Sequence, residues 1–231
     1  MIKLEAQEFV QWFDRDSGTL YSDLEFVRCR FESSGLSITR DPKLRSTVRN
    51  VRLSRCEQRG SAIDTAIIED VVVEHFKTNG LFQIWGAVFK HVKLQGKIGR
   101  LMVSPLVAPG SATPEQQRAF DIANAEYYSA VDWALDISEA EFTGECDLRR
   151  VPADLVRRDC QTQVVVKREK AMSGKWRDLD LSKTYWASAI EGFLREGDPN
   201  IVFVAGKGDR KFRDLMDGLK KLRDAGIAEP D

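Results

Sequence analysis

Apolar side chains in the first half of this chain come in short runs, and the runs repeat at a nearly fixed spacing. Ile63, Ala66, Ile67, Ile68, Val71 and Val73 lie over Ile84, Ala87, Val88, Phe89, Val92 and Leu94 at a constant offset of 21. At an offset of 20 one row extends backwards as Val71, Val51, Phe31, and a second as Phe76, Cys56, Leu36. Val71-x-Val73, Val92-x-Leu94 and Leu101-x-Val103 alternate as strands do, with successive side chains on opposite faces. A period of roughly 20–25 residues marks a solenoid, in which each repeat buries its apolar face only by stacking on the next.

Other patterns flank this ladder. Phe9, Trp12 and Phe13 share one face of a short helix over 5–14, which would cap the open strand edges at that end. The stretch 104–110, rich in Pro and Gly, interrupts the ladder, and Thr113-Pro114-Glu115-Gln116 then carries the signature of a helix start: an N-cap Thr, Pro in the first turn and a capping-box Gln. A helix over 114–129 follows, then a strand over 131–137 with odd positions inward. From 160 the pattern is α/β. A strand at 163–167 precedes a helix begun by Ser182, with Tyr185, Trp186, Ala189, Ile190, Phe193 and Leu194 on one stripe. A buried strand over 201–205 leads to a last helix from Asp209, with Gly226 as its C-cap.

Triplets of a small, a polar and a large apolar residue recur: Cys29-Arg30-Phe31, Ala140-Glu141-Phe142, Cys146-Asp147-Leu148 and Ala153-Asp154-Leu155. They resemble the unit of pentapeptide-repeat proteins, over perhaps 80–100 residues of the chain. The resemblance implies a right-handed parallel β-helix with about 20 residues per coil. The chain departs from that family in lacking an unbroken tandem run and in carrying an inserted helix. The expected fold is therefore mainly β: a short right-handed parallel β-helix (solenoid) over 1–159, with an N-terminal helical cap and an inserted helix near 114–129. Residues 160–231 form a C-terminal α/β cap packed with it as one unit.

Composition narrows the class. Apolar residues make up 42% of the 231 and charged residues 31%, which excludes disordered and membrane-embedded proteins. No apolar run is long enough to span a bilayer and no secretory leader is evident, so a cytoplasmic location is expected. Cys29, Cys56, Cys146 and Cys160 have no metal-ligand spacing, and His75 and His91 do not supply it; neither a metal nor a cofactor is implied. Cys56, inside the ladder, reads as a buried thiol.

Net charge is −1, yet residues 28–59 hold nine basic side chains against Glu32, Asp41 and Glu57. Such a segment is a solvated wall or a patch for an anionic partner. Arg49, Arg52 and Arg55 are the candidate contacts. The function read from this is a non-catalytic binding scaffold for a macromolecule, a protein before a nucleic acid, with a bacterial immunity or regulatory role as one specific form. Some proteins of the resembled family imitate DNA; the charge balance here argues against that mode.

The alternative is a hydrolase or lyase with an outer-wall site using Asp132, Asp136 or His91. Asp132 and Asp136 share a strand face about 13 Å apart, beyond the roughly 5–9.5 Å separations of glycoside hydrolysis. His75 and His91 have no evident partner at fixed spacing and read as exposed and inert. Gly206-Lys207-Gly208-Asp209 lacks the full phosphate-loop spacing and reads as a strand-to-helix turn.

Overall fold

The computed structural model describes residues 1–107, 112–196 and 198–229. Of the expected interruption at 104–110, residues 108–110 lie outside the described residues.

The chain makes successive passes across two large sheets. The first pass is β1 (Ile2–Glu5), β2 (Glu8–Val10) and β3 (Phe13–Arg15). The second is β4 (Leu20–Val27), β5 (Arg30–Glu32) and β6 (Gly35–Ile38), and the third β7 (Thr47–Ser54), β8 (Glu57–Arg59) and β9 (Ala62–Asp64). Then come β10 (Ile67–Asn79) with β11 (Phe82–Trp85), and β12 (Val88–Ile98) with β13 (Leu101–Ser104). Helix α1 (Pro114–Ser129) precedes β14 (Leu135–Phe142), β15 (Cys146–Leu148) and β16 (Val156–Arg157). The remainder is β17 (Gln163–Lys167), α2 (Arg168–Met172), α3 (Trp186–Glu196), β18 (Asn200–Val204), α4 (Phe212–Asp224) and β19 (Ala228–Glu229).

In the first sheet β1, β4, β7, β10, β12, β14 and β16 lie side by side, with β2, β5 and β8 joined through β10, and all pairings are parallel. The second sheet runs β3-β6-β9-β11-β13-β15 in parallel and continues through antiparallel β18, β17 and β19. Val164, Val165 and Val166 are all buried, so β17 is covered on both faces: Val165 packs into the core between the sheets, its neighbours into a second core with α3 and α4. That double burial makes the C-terminal region an extension of the second sheet. The architecture is a mixed α/β fold of two large sheets, one a parallel half-barrel and one mixed, with a quarter of the chain helical. This corrects the expected mainly-β fold: the chain is not a right-handed parallel β-helix solenoid closed by separate caps.

Two further expectations change. Residues 5–14 form no helix. Ala6, Gln11 and Asp16 have φ of 51°, 51° and 45°, so the chain turns a corner about every five residues. Each of their amides donates across to the next pass, to Val27, Glu32 and Ile38. The helical spacing of Phe9, Trp12 and Phe13 is a coincidence of these corners. Phe31 also leaves its expected row: Val51, Val71 and Val92 are register partners, but the row continues as Leu24 on β4 and Leu135 on β14. The second pass is longer than 20 residues because 39–46 carry a 3-10 turn at Pro42–Leu44, so a fixed offset steps onto the wrong strand. Leu36 likewise pairs with Ile63 and, through it, Ile84, not with Cys56.

Candidate functional site

Between the sheets the inward side chains of successive passes stack in rows, and their burial changes steadily along each row. In the row Leu4, Phe26, Leu53, Val73, Leu94, the first four are only partly buried, whereas Leu94 is buried; Leu135, Ile137 and Phe142 beyond it are fully enclosed. The row Leu36, Ile63, Ile84, Val103, Leu148 behaves the same way. Side chains that point inward yet stay accessible border a void. It is an apolar lumen of about 430 Å³ that reaches from the first pass to Val92 and Leu135, within the ~300–1,000 Å³ range of small-molecule sites.

The lumen's first-pass end is ringed by aromatics. Phe9 stacks on Phe31 at 5.2 Å, and Phe26 meets both edge-on. Around them β1, β2 and β3 pair on one side only, which leaves a whole pass of free strand edge. Six of the ten large exposed apolar side chains among the described residues belong to this end: Met1, Ile2, Val10, Trp12, Phe13 and Leu20. Concentrated exposure of this kind is the signature of a contact surface.

One amide side chain stands inside the lumen, among the hydroxyls of Tyr21, Ser34, Ser61 and Thr78 that also line it. Gln58 is 2% exposed, alternates with the outward Glu57–Arg59 pair, and lies in register with Phe31 and Thr78. Its amide oxygen accepts from the Ser61 N–H at 3.1 Å. Its NH2 has no acceptor among the described residues.

The outer face of the first sheet bears a polar row. Asp23, Asn50, Asp70 and His91 have φ between 52° and 58° and sit where β4, β7, β10 and β12 bend, a conformation that Asn, Asp and His tolerate better than other side chains. Asn50 donates to Asp23 at 2.5 Å. His91 is held at both ring nitrogens, Nε2 to Asp132 at 2.6 Å and Nδ1 to Asp70 at 3.0 Å, while its ring packs on Trp133 at 4.8 Å. The hydrogen bond to Asp132 and then that to Asp70 raise the His91 pKa, and His91 in turn lowers that of Asp132. Of the three sequence candidates for catalysis, Asp132 and His91 therefore meet and Asp136 does not join them: its carboxylate accepts from the Ser138 amide and hydroxyl. Both nitrogens can donate to the two carboxylates only when the ring is protonated, and in that form the imidazole has no lone pair for a substrate proton. The offset of 21 that sets Val71 beside Val92 also sets Asp70 beside His91, a signal the sequence reading passed over, whereas Asp132 lies 41 residues from the ring, outside that period.

The basic segment is largely answered from within the chain. Arg28 pairs with Glu5, Arg30 with Glu8, Arg49 with Glu69 and Arg59 with Glu57. Glu69 also accepts from Tyr127 of α1. Arg45 is not on the surface. It donates to the Thr65 and Gly86 carbonyls at 2.5 and 2.6 Å and to Asn124 Oδ1 at 2.7 Å, and lies over the Phe120 ring. Burial lowers its pKa to about 10. It latches α1 to two backbone corners. Of the three candidate contacts, Arg49 is thus committed to Glu69, whereas Arg52 and Arg55 are exposed and make no ion pair among the described residues.

Cys29, Cys56 and Cys146 are buried, and burial pushes the Cys56 thiol up to about 11. No cluster of His, Cys, Asp and Glu among the described residues is arranged to hold a metal ion. No helix among them is long and apolar enough to cross a membrane. Lys207 of the Gly206–Asp209 turn pairs with Asp159 at 3.0 Å. No family model, curated protein or solved structure matches the chain.

Proposed function

We propose that this chain is a non-catalytic binding protein that takes a protein partner at the open end of its lumen. The partner adds an extended segment to the free edge of the first pass and lays apolar side chains over the mouth, the strand-addition mode of recognition. The observation that carries this reading is the coincidence, on one end of the molecule, of three singly paired strands and most of the large exposed apolar side chains. The occupied ring of His91 supports it against a hydrolase or lyase on the outer wall, and the internal pairing of the basic segment supports a protein over a nucleic acid. A second surface is offered by Arg52 and Arg55, which are exposed and make no ion pair among the described residues.

The test is capture from the native cell with a photo-crosslinker at Thr19, beside the mouth, using three forms of the chain. The wild type is expected to yield a defined adduct. Ile2→Lys with Val10→Lys should lose it while circular dichroism and the unfolding midpoint stay unchanged, because both side chains are exposed. Arg52→Ser with Arg55→Ser should retain it. Loss in the arginine variant with retention in the lysine variant would move the contact to the outer wall and refute the mouth.

A further inference from the structure

We propose that the lumen is itself a binding site, for a small molecule with an apolar body and one hydrogen-bond acceptor that Gln58 receives. The inference goes beyond the partner surface and stands whether or not a protein covers the mouth.

The lumen supplies the body's site. Its wall is mostly Leu, Val, Ile and Phe, its volume of about 430 Å³ suits one mid-sized ligand, and apolar surface leaving water gains roughly 25 cal/mol per Å². Gln58 supplies the single direction. Its oxygen is fixed by the Ser61 amide, so the NH2 is the end that faces the void. The hydroxyls of Ser34 and Thr78 nearby already donate to backbone carbonyls. The NH2 borders the lumen, where a ligand acceptor would give it a hydrogen bond in surroundings that are otherwise mostly apolar. Apolar walls with one placed polar group are the usual anatomy of a small-ligand pocket. The acceptor must be neutral: no cation reaches the lumen wall, so a carbonyl or ester fits and a carboxylate would enter uncompensated. The open aromatic mouth at Phe9 and Phe31 gives the ligand its entry.

The experiment uses the full-length chain with two probes of equal length, decan-2-one and decane. Affinity is read by calorimetry, and the Gln58 side-chain NH2 resonances are followed in a 15N-labelled sample. The ketone is expected to bind roughly tenfold tighter than the alkane and to shift the Gln58 NH2 pair. Gln58→Leu should bring the two affinities together. Leu53→Phe, which fills the lumen without touching Gln58, should weaken both probes. Ile2→Lys with Val10→Lys should leave ketone binding intact, so that failure of the partner reading and failure of this one are told apart. Absence of binding by both probes to the wild type, or ketone binding with unmoved Gln58 resonances, overturns the proposal, and the wild-type measurement decides even where a variant fails to fold.

Discussion

The openness of the lumen can be measured as a stability gradient along three leucines. Leu4, Leu53 and Leu135 all point inward, but the first two are half-buried and Leu135 is 2% exposed. Truncating a leucine to alanine removes about three carbons, worth about 2.4 kcal/mol of transfer free energy if the side chain was dry. Leu135 meets the lumen only at its closed end and is otherwise packed in buried core, so truncation there enlarges the void within that core and brings the expected loss to about 3–5 kcal/mol. At Leu53 the side chain already borders a void, so no new cavity forms and about half the transfer term is at stake, roughly 1 kcal/mol. Leu4 belongs with Leu53, since it sits on the edge strand at the mouth. For a chain of this length 1 kcal/mol moves the unfolding midpoint by about 2–4 °C. The alanine variants at 4 and 53 should therefore melt within about 5 °C of the wild type and the variant at 135 at least about 6 °C below it. Urea unfolding should give the same ranking at constant slope. Equal losses at Leu53 and Leu135 would mean that the rows are packed shut, and the ligand proposal would fall with the void.

Two more outcomes are expected. Arg45→Met should cost about 2 kcal/mol, because it strands the buried Thr65 carbonyl and leaves that of Gly86 only its 3.4 Å bond from Asn124, and amide exchange should accelerate first in α1; unchanged α1 protection would refute the latch. His91 should titrate above its ordinary value of about 6.5 by NMR. Its folded-state pKa is raised, so its contribution to stability is present below the unfolded value and lost as pH rises through the folded one. Asp132 has a lowered folded-state pKa and loses its contribution as pH falls through that value. The stability difference between wild type and His91→Ala should thus peak between the two and shrink on both sides; a midpoint at or below the ordinary value would show that the aspartates do not hold the ring.

What could be read from the sequence was local or strictly periodic. The capping box of α1 is local: Gln116 N–H donates to Thr113 Oγ1 and Thr113 N–H to Gln116 Oε1, at the helix start the four residues predict. The offset of 21 is periodic, and Ile67 with Val88, Ile68 with Phe89, Val71 with Val92 and Val73 with Leu94 are register partners of β10 and β12. Parallel register, however, says nothing about how the sheets are completed. The antiparallel strands that make the second sheet mixed come from 160 onward, where no repeat exists, and Asp147 facing Phe203 has no counterpart upstream. Corners in the left-handed region were hidden for another reason. Of the residues that hold them, Ala6, Arg28, Arg55 and Thr65 are not types that announce such a turn. The lumen was hidden too, because composition cannot tell an apolar row that closes from one that stays open. Gln58 lies between Glu57 and Arg59 and looks like one more surface residue until the alternation of β8 turns it inward.

The two ends of the half-barrel are treated differently by the chain, and the difference bears on where function lies. At the far end the edge strands β16 and β19 are only two residues long each, and polar networks brace the elements around them. Gln163 donates from its buried amide to the Ile137 carbonyl, Arg149 joins Asp147 to Glu196, and Arg150 joins Asp121 of α1 to Asp198. Trp186 stacks on Phe203 in a second core that lies over the sheet. Such fixed, partly buried networks hold a closure in one arrangement. At the near end the chain spends Phe, Trp and Val on side chains that remain in contact with water, beside strand edges that pair with nothing among the described residues. Edges and apolar rims are hazards that a fold ordinarily blunts with charge, Pro or a covering element. Here Lys3, Glu5 and Glu8 put charge on the outer faces of β1 and β2, as their pairs with each other, Arg28 and Arg30 indicate, yet Val10, on the same face as Glu8, and Phe13, on the same face as Arg15, stay exposed. Apolar side chains left exposed beside free strand edges are the pattern of a contact surface.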